Sequence, residues 1–269
     1  MKFSTIALLA TAELTLGARL TDKRRERHAD KIAKRSSGQR NSQPRIQAED
    51  VPFNETSHVS YSTNWAGSVY TSTGIDYVTG TIVVPTPSAG SGSGLKAALE
   101  GYCASAWVGI DGDTCDTAIL QTGIDFCYED GEPSFDAWYE WYPDYAYDFD
   151  LTVSAGDTIT MYVSATSTSK GSAVIENVTT GKSVTHTFTT SEGDLCEYDA
   201  EWIVEDFEEG LSLVPFADFD SVEFTDAYAT SGSTTIKAGS GSIIDIRQSG
   251  TVYTSCTASA ETVTCTYTG

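Results

Sequence analysis

Short runs in which apolar and polar residues alternate recur along the chain beyond residue 54, and no stretch there keeps a 3.6-residue apolar period for three helical turns. Alternation with a period of two is typical of a β-strand with one buried face. Gly, Ser, Asp or Asn bounds each run, and Gly181 and Gly250 stand where hairpin turns are needed. We predict strands over residues 77–84, 158–165, 173–178, 183–188, 201–206, 221–227, 242–247 and 262–267.

The spacing of these strands predicts a single all-β domain over residues 54–269, folded as an antiparallel sandwich or barrel. The length of this segment lies within the range of one all-β domain. Thr, Ser, Val, Tyr and Gly dominate its composition, which agrees with extended structure.

Charge divides the chain into a basic leader and a very acidic body. The first fifty residues hold 11 of the 16 Lys and Arg but 6 of the 38 Asp and Glu. The rest of the chain therefore carries 32 acids and 5 bases, a formal charge of −27, whereas the whole chain has −22. We expect the body to be more stable in acid, because its carboxylates repel one another at neutral pH.

The start of the leader has the layout of a secretory signal peptide. Residues 1–18 contain one Lys, a short apolar run and small residues at Gly17 and Ala18, although Glu13 and Leu16 fit the layout imperfectly. The apolar run is too short to span a bilayer. We therefore expect a secreted, extracellular protein without a membrane anchor.

The rest of the leader is basic and polar and has no aromatic residue up to residue 50, so it cannot build a core alone. Such a segment is compatible with a nucleic-acid-binding arm, a solvated tail or a removable prosegment. A preceding signal peptide and a body of opposite charge favour the prosegment, which we place at residues 19–53. We expect it to inhibit the body as an intramolecular partner, and we expect no nucleic-acid partner and a monomer.

Six cysteines, all beyond residue 100, predict three disulfide bonds in a secreted chain rather than metal ligands or a reactive thiol. Six cysteines allow 15 pairings, and the sequence does not choose among them. Cys256 and Cys265 flank one plausible hairpin. The sequons at Asn54 and Asn177 predict glycosylation at exposed turns.

The residue types available argue against several catalytic mechanisms. A serine or cysteine triad needs a His beside its nucleophile, and the chain offers only His28 in the leader, His58 near the domain start and His186 within a predicted strand. His186 alternates with threonines, as a packed or exposed strand residue would. Without a CxxC pair or a second well-placed His, we predict no metal site and no cofactor. Carboxylates and amides remain as the catalytic groups.

Two segments carry amide and carboxylate groups in strand-like patterns. The tripeptides Asp-Thr-Gly and Asp-Ser-Gly of aspartic peptidases do not occur, and Gln121 begins the tripeptide Gln-Thr-Gly where such a motif would be sought. Downstream, residues 200–206 read Ala-Glu-Trp-Ile-Val-Glu-Asp. Strand alternation places Glu201, Ile203 and Glu205 of that segment on one face.

At these two segments the chain resembles the glutamic peptidases, or eqolisins, a family of fungal pepstatin-insensitive acid peptidases. The resemblance covers most of the body, from residues 64–65 through the aromatic stretch at residues 136–149 to Phe219. It implies a lectin-like sandwich of two antiparallel sheets, a removable signal and prosegment, and an endopeptidase that hydrolyses protein and peptide substrates at low pH. It also implies a catalytic Gln and Glu pair.

These catalytic roles map onto Gln121 and Glu201, with Glu205 as the alternative acid on the same strand face. The pair suits peptide hydrolysis, because a Glu can take a proton from the attacking water and return it to the leaving nitrogen. A Gln amide donates hydrogen bonds to the developing oxyanion whatever the pH.

The resemblance also implies contacts to the substrate by Trp65, Trp107, Asp111, Asp125 and Tyr139. Tyr139 belongs to an aromatic run, residues 138–149, that would either grip an extended peptide or cap the edge of the sandwich. We expect two nearby glycines, Gly109 and Gly112, to serve backbone turns.

Two other secreted functions compete with the peptidase. A carbohydrate-binding β-sandwich would explain the aromatic residues and the secretion, since a fold does not decide a function. It would not explain the basic prosegment or the Gln and Glu motifs. A glycosidase with a pair of carboxylates has still less support.

Overall fold

The computed structural model describes residues 40–48, 59–91, 101–191, 193–210 and 212–269. These residues form two large packed β-sheets, a small third sheet and one 3₁₀ turn at Ala238–Ser240. The signal peptide at residues 1–18, residues 19–39 of the predicted prosegment and the sequon at Asn54 lie outside the described residues. The antiparallel β-sandwich is confirmed.

One large sheet, called here the site sheet, has nine strands. In order these are β18 (Thr251–Val252), β17 (Ser242–Gln248), β3 (Trp65–Thr71), β12 (Asp199–Glu205), β5 (Tyr102–Ile110), β6 (Ile119–Glu129), β7 (Glu132–Tyr142) and β8 (Tyr147–Asp148), with β2 (Val59–Ser62) beside β17. The β2–β17 pair is parallel, and every other pair in this sheet is antiparallel.

The second large sheet has eight strands. In order these are β11 (Lys182–Phe188), β10 (Lys170–Asn177), β9 (Thr158–Ser167), β4 (Ile75–Val83), β15 (Ser221–Ser231), β20 (Thr262–Tyr267) and β19 (Thr254–Ser259), with β16 (Thr234–Lys237) beside β15. A small sheet joins β1 (Arg40–Asn41), β13 (Glu208–Glu209) and β14 (Ser212–Leu213). The structure confirms all eight strands predicted from alternation, with boundaries shifted by at most four residues.

Alternation along each strand of the site sheet separates the core from an opposite, functional face. In β12, Trp202 points into the core between the sheets, where its indole N–H donates a hydrogen bond to the carbonyl of Thr79 over 2.7 Å. Truncating such a buried indole typically costs about 3–5 kcal/mol. Glu201, Ile203 and Glu205 share the other face of the same strand.

Glycines mark several of the turns. Gly181 and Gly250 have φ of +68° and +87°, which confirms both as turn residues, and Gly112 follows β5 with φ of +124°. Gly109 differs from expectation because it lies inside β5, where an added Cβ would stand 2.8 Å from the Trp107 ring. A close approach of side chains, rather than a turn, requires glycine at this position.

All six cysteines form disulfide bonds, as Cys103–Cys127, Cys115–Cys196 and Cys256–Cys265. The last pair closes the β19–β20 hairpin and confirms the expectation for that segment. Among the described residues, no helix is long and apolar enough to cross a bilayer.

The second sequon does not form the exposed turn that was predicted. The Asn177 side chain is fully buried, and its Nδ2 atom donates hydrogen bonds to the Thr152 carbonyl and to Asp157. A glycan cannot be attached to this nitrogen while it is enclosed in that way. His186 is confirmed as a packed strand residue, because its ring stacks on Tyr139 at 4.0 Å.

Candidate active site

The functional face of the site sheet gathers the predicted catalytic amide and carboxylates. Gln121 of β6 lies opposite Gly109 of β5, which in turn lies opposite Glu201 of β12. On its other side Gln121 lies opposite Glu140 of β7. Because Gly109 has no side chain, β5 places no barrier at this level between Gln121 and Glu201.

The Gln121 side chain is buried, and neither its Nε2 nor its Oε1 atom has a hydrogen-bond partner among the described residues. A buried polar group without a partner typically costs about 1–3 kcal/mol. Such an amide is stabilised when a ligand supplies the missing partner, so its position favours a role in binding or catalysis.

Glu205 lies further along β12 and is held by an indole. The Nε1–H of Trp107 donates a hydrogen bond to Glu205 Oε2 over 2.9 Å. The edge of the Trp65 ring meets the Trp107 ring at a centroid distance of 4.9 Å. Both indoles and the carboxylate are fully buried, so the direction of the carboxylate is fixed by packing.

Beside Glu205, an arginine from the predicted prosegment fills an acidic pocket. The Arg40 side chain is 1% exposed and forms ion pairs with Asp125 at 2.8 Å and Glu140 at 3.3 Å. Its guanidinium carbon lies 3.9 Å from the centroid of the Trp138 ring and 4.5 Å from that of the Phe207 ring. The Ser105 hydroxyl also lies 3.3 Å from the guanidinium. We call the five residues around the guanidinium the Arg40 pocket; they are Ser105, Asp125, Trp138, Glu140 and Phe207.

Residues 42–45 of the predicted prosegment continue from Arg40 across the functional face. The backbone N–H of Ser42 donates to the Glu140 carboxylate at 3.3 Å, and the carbonyl of Gln43 accepts a hydrogen bond from Trp65 Nε1 over 3.1 Å. Arg45 then pairs with Asp113 at 2.8 Å. Residues 40–45, which belong to the predicted prosegment, therefore cover the site instead of lying apart from the domain.

Two glutamates beneath residues 40–42, Glu140 and Glu205, have raised pKa values. Burial raises the pKa of Glu205 to about 7, although the Arg40 guanidinium, the Ser42 hydroxyl and the Trp107 N–H act in the opposite direction. Burial also raises the pKa of Glu140 well above its usual value, against Arg40, and the nearby charge of Glu205 adds to the increase. Glu205 is thus close enough to Glu140 for its charge to raise the pKa of Glu140.

Glu201 has a different electrostatic environment. Burial raises its pKa well above the usual value, and neither carboxylate oxygen has a hydrogen-bond partner among the described residues. The charged groups that raise its pKa further are Asp199, Asp111 and Asp113. These acids lie towards the opposite end of β12 from the Arg40 pocket.

Asp111 organises the backbone that leads into β12. Its carboxylate accepts hydrogen bonds of 2.7–3.2 Å from four successive N–H groups, those of residues 196–199. The residue is fully buried and has φ of +71°, a conformation that L-residues rarely adopt. Both oxygens are therefore engaged within the fold, and the geometry favours a positioning role over the predicted contact with substrate.

The structure brings Trp65, Trp107 and Asp125 to the functional face but leaves Tyr139 on the opposite face of β7. Alternation along β7 directs Trp138 and Glu140 towards the site, so Tyr139 between them faces the core and the second sheet. Its ring packs against Tyr147, Phe149 and His186. The structure therefore does not support the predicted substrate contact at Tyr139.

Sequence reasoning missed two residues of the site. Glu140 could have been found, because alternation through the aromatic run places it on one face with Trp138. Arg40 gave no such signal, since its partners Asp125 and Glu140 are 85 and 100 residues away in the sequence.

Two groups of residues come within metal-ligand distance in the described part of the chain. They are Asp111 with Cys115 and Cys196, and Glu129 with Cys103 and Cys127. Each group contains one carboxylate and one disulfide, and a disulfide offers no thiolate to a metal. Neither group therefore forms a plausible metal site.

Known proteins share this fold and sequence. The profile of the Peptidase A4 family matches residues 63–267. Aspergillopepsin-2 of Aspergillus niger is 55% identical over 287 aligned positions, which cover 99% of this chain and 100% of the relative. Scytalidopepsin B of Scytalidium lignicola is 40% identical over 281 positions, which cover 99% and 100% of the two chains.

A solved structure agrees with these sequence matches. The crystal structure of scytalido-glutamic peptidase with a transition state analog inhibitor superposes with a TM-score of 0.70 at 43% identity. The superposition covers 77% of this chain and 98% of the other.

Proposed function

The chain belongs to the Peptidase A4 family of glutamic peptidases and is an acid endopeptidase, and we propose that Gln121 and Glu205 are its catalytic pair. The observation that carries this choice is the path of the prosegment. Arg40 and Ser42 of the predicted prosegment contact Glu140 and lower the pKa of Glu205, and a peptide segment bound beside these carboxyls supports the binding of a substrate chain there.

The electrostatic interaction between Glu205 and Glu140 supports Glu205, rather than Glu201, as the catalytic carboxyl. Glu140 is the neighbour of Gln121 across the β6–β7 pair and also responds to the charge of Glu205, so Gln121 and Glu205 border one space. The acids that influence Glu201 are Asp199, Asp111 and Asp113, and neither Glu140 nor Glu205 is among them. Register alone would favour Glu201, because it lies level with Gln121 across Gly109.

In the proposed reaction, Glu205 acts first as a base and then as an acid. Its carboxylate removes a proton from a water molecule while the water oxygen attacks the carbonyl carbon of the scissile peptide bond. The carbonyl oxygen becomes an oxyanion, which the Gln121 Nε2–H stabilises by a hydrogen bond. Glu205 then gives the proton to the leaving nitrogen as the C–N bond breaks, which regenerates the carboxylate.

The proposed base must be ionised in acid, and removal of the prosegment has two opposed effects on its pKa: water enters the cleft, but the Arg40 charge and the Ser42 hydroxyl that favour the ionised form leave. Burial is the largest cause of the raised pKa of Glu205, so we expect the entry of water to outweigh the loss of Arg40 and Ser42. Once water enters the cleft, desolvation decreases and the pKa of Glu205 falls towards the ordinary range of a glutamate. The Trp107 N–H remains in place and continues to favour the charged form.

We further propose that the prosegment is an intramolecular inhibitor of a secreted monomeric enzyme. Arg40 and residues 42–45 cover the functional face with hydrogen bonds and ion pairs, so substrate and prosegment compete for one surface. Three disulfide bonds suit an oxidising, extracellular environment. The layout of residues 1–18 supports secretion.

Digestion of a denatured protein by the processed enzyme at about pH 3, with pepstatin present, tests this function. We expect peptide products, and we expect Gln121→Ala to slow turnover by about a hundredfold to a thousandfold through loss of the oxyanion donor. Gln248→Ala is a matched control, because this amide already donates hydrogen bonds to the Thr63 carbonyl and to Asp206, whereas that of Gln121 has no partner among the described residues. The absence of cleavage by the processed wild type would contradict the proposal.

A further inference from the structure

The Arg40 pocket fits an arginine side chain closely, which suggests a use other than binding the prosegment. Arg40 fills it almost completely, with 1% of its side chain exposed. We propose that in the processed enzyme this pocket is a substrate subsite that selects an arginine side chain. The proposal rests on the peptidase function proposed above and names the substrate class that the site prefers.

The pocket recognises the shape of a guanidinium as well as its charge. Arg40 Nε donates to Asp125 Oδ2 over 2.8 Å, and Arg40 Nη2 donates to Asp125 Oδ1 over 3.0 Å. Two parallel bonds between a guanidinium and one carboxylate are stronger and more directional than a single contact. A lysine ammonium is a point charge and cannot form this fork, so the pocket should favour arginine over lysine.

The remaining walls match the rest of the guanidinium. Nη1 donates to Glu140 Oε2 over 3.3 Å, and Nη2 lies 3.3 Å from the Ser105 hydroxyl. The rings of Trp138 and Phe207 lie within cation–π distance of the guanidinium carbon. Aromatic faces bind a flat, weakly hydrated cation better than a compact, strongly hydrated one.

The catalytic domain alone builds this pocket, so the pocket persists when the prosegment leaves. Ser105 lies on β5, Asp125 on β6, Trp138 and Glu140 on β7, and Phe207 just after β12. Among the described contacts of the guanidinium, only the Ser42 hydroxyl, at 3.3 Å, belongs to the prosegment.

The pocket also lies on the path of a substrate. The prosegment backbone contacts Glu140 at Ser42 and Trp65 at Gln43, two and three residues after Arg40. A peptide bound for cleavage between Gln121 and Glu205 must cross the same face in an extended form. One of its side chains then points towards Asp125, as that of Arg40 does.

Peptide binding tests the pocket without requiring turnover. The probe is a fluorescent peptide of residues 40–48, and the receptor is the processed Gln121→Ala protein. Replacement of Arg40 by citrulline, which keeps the shape but removes the charge, should weaken binding at least about tenfold. Citrulline at Arg45 is the matched control and should have a smaller effect, because the Arg45–Asp113 pair is partly exposed.

The receptor variant Asp125→Asn should remove most of the difference between the Arg40 and citrulline-40 peptides, whereas Asp113→Asn should preserve it. Equal binding of the two peptides to the unaltered pocket would overturn the proposal. Because no cleavage is measured, this result is independent of whether Gln121 and Glu205 form the catalytic pair.

Cleavage of paired peptides tests whether substrates use the pocket. The two peptides of a pair differ at one position relative to the scissile bond, where one has arginine and the other has citrulline. The readout is the ratio of the kcat/KM values of the two peptides. At one position we expect kcat/KM for the arginine peptide to exceed that for the citrulline peptide by at least about tenfold, with the lysine peptide between them. In Asp125→Asn we expect the ratio at that position to be near one. If that variant fails to fold, Glu140→Gln should lower the same ratio.

A ratio near one at every position in the wild-type enzyme would overturn the proposal even if the prosegment peptide depends on Arg40. The pocket would then serve the prosegment alone.

Discussion

The indole N–H of Trp107 donates a hydrogen bond to Oε2 of Glu205 over 2.9 Å, and both side chains are fully buried. This bond fixes the direction of the proposed catalytic carboxylate and favours its charged form. The indole thereby opposes the effect of burial, which raises the pKa of Glu205.

Trp107→Phe removes this hydrogen bond while it keeps an aromatic ring in the same place. We expect the pKa of Glu205 to rise, so that the acidic limb of the profile of kcat/KM against pH moves to higher pH. We also expect kcat/KM to fall by roughly tenfold, the value of one hydrogen bond to a charged group. Trp65→Phe is the control, because its N–H faces Gln43 of the prosegment and should leave the acidic limb in place. Identical acidic limbs in Trp107→Phe and the wild type would contradict this role.

The separated catalytic domain should be less stable at neutral pH than in acid. Burial raises the folded-state pKa of Glu201 well above that of an unfolded chain, and neither of its carboxylate oxygens accepts a hydrogen bond from the described residues 40–48. A raised folded pKa contributes stability that is present below about 4.3 and is lost as the pH rises through the folded value. Thermal unfolding should therefore give a lower Tm at about pH 7.5 than at about pH 3.5. An equal or higher Tm at the neutral pH would contradict the expectation.

Asp245 makes a separable contribution to this pH dependence. Burial raises its pKa to about 6, against hydrogen bonds from the Thr254 hydroxyl and the Cys256 N–H. The stability linked to its proton is complete below the unfolded pKa near 3.9 and is lost as the pH rises through about 6. Asp245→Asn should therefore stabilise the domain by on the order of 1–3 kcal/mol at about pH 7.5 and have little effect at about pH 3.5.

Urea denaturation at the two pH values measures this difference. Asp116→Asn, which removes an exposed carboxylate, is the control. A gain in stability from Asp245→Asn that is the same at both pH values would show that the proton on Asp245 is not the cause.

The three disulfides should differ in their contributions to stability. Cys115–Cys196 closes a loop with a sequence separation of 81, whereas Cys256–Cys265 closes one of 9. In the chain-entropy account, removal of these bonds costs about 4–5 and about 2–3 kcal/mol, respectively. Paired Cys→Ala variants, compared by urea denaturation, should show the larger loss for Cys115–Cys196. Equal losses would contradict a purely entropic account.

The fold can be predicted largely from local sequence pattern, because the alternation that marks a strand relates residues only two positions apart in the sequence. The β12 segment is typical, since its alternation separates Trp202 in the core from Glu201 and Glu205 on the functional face. The site follows less well, because it depends on register between strands and on chain segments that are distant in the sequence. The burial of Arg40 against Asp125 is a contact of this distant kind.

Three expectations that differ from the structure share a physical cause. Tyr139 and Glu140 are neighbours in the sequence but lie on opposite faces of β7, so an aromatic run cannot be assigned as a whole to one surface. Gly109 lies within β5, where the Trp107 ring leaves no room for a Cβ atom. Asn177 is enclosed by Thr152 and Asp157. Tertiary packing decides all three, although alternation through the aromatic run already assigns Tyr139 and Glu140 to opposite faces.

The activity of two matched variants, Glu205→Gln and Glu201→Gln, tests the central claim most directly. Each processed variant is assayed for cleavage of a denatured protein at about pH 3 with pepstatin present, after its folding is confirmed by thermal unfolding. We predict that Glu205→Gln loses turnover by at least about a thousandfold, while Glu201→Gln stays within about tenfold of the wild type. Loss of turnover in Glu201→Gln together with retained turnover in Glu205→Gln would contradict the account and assign the acid to Glu201.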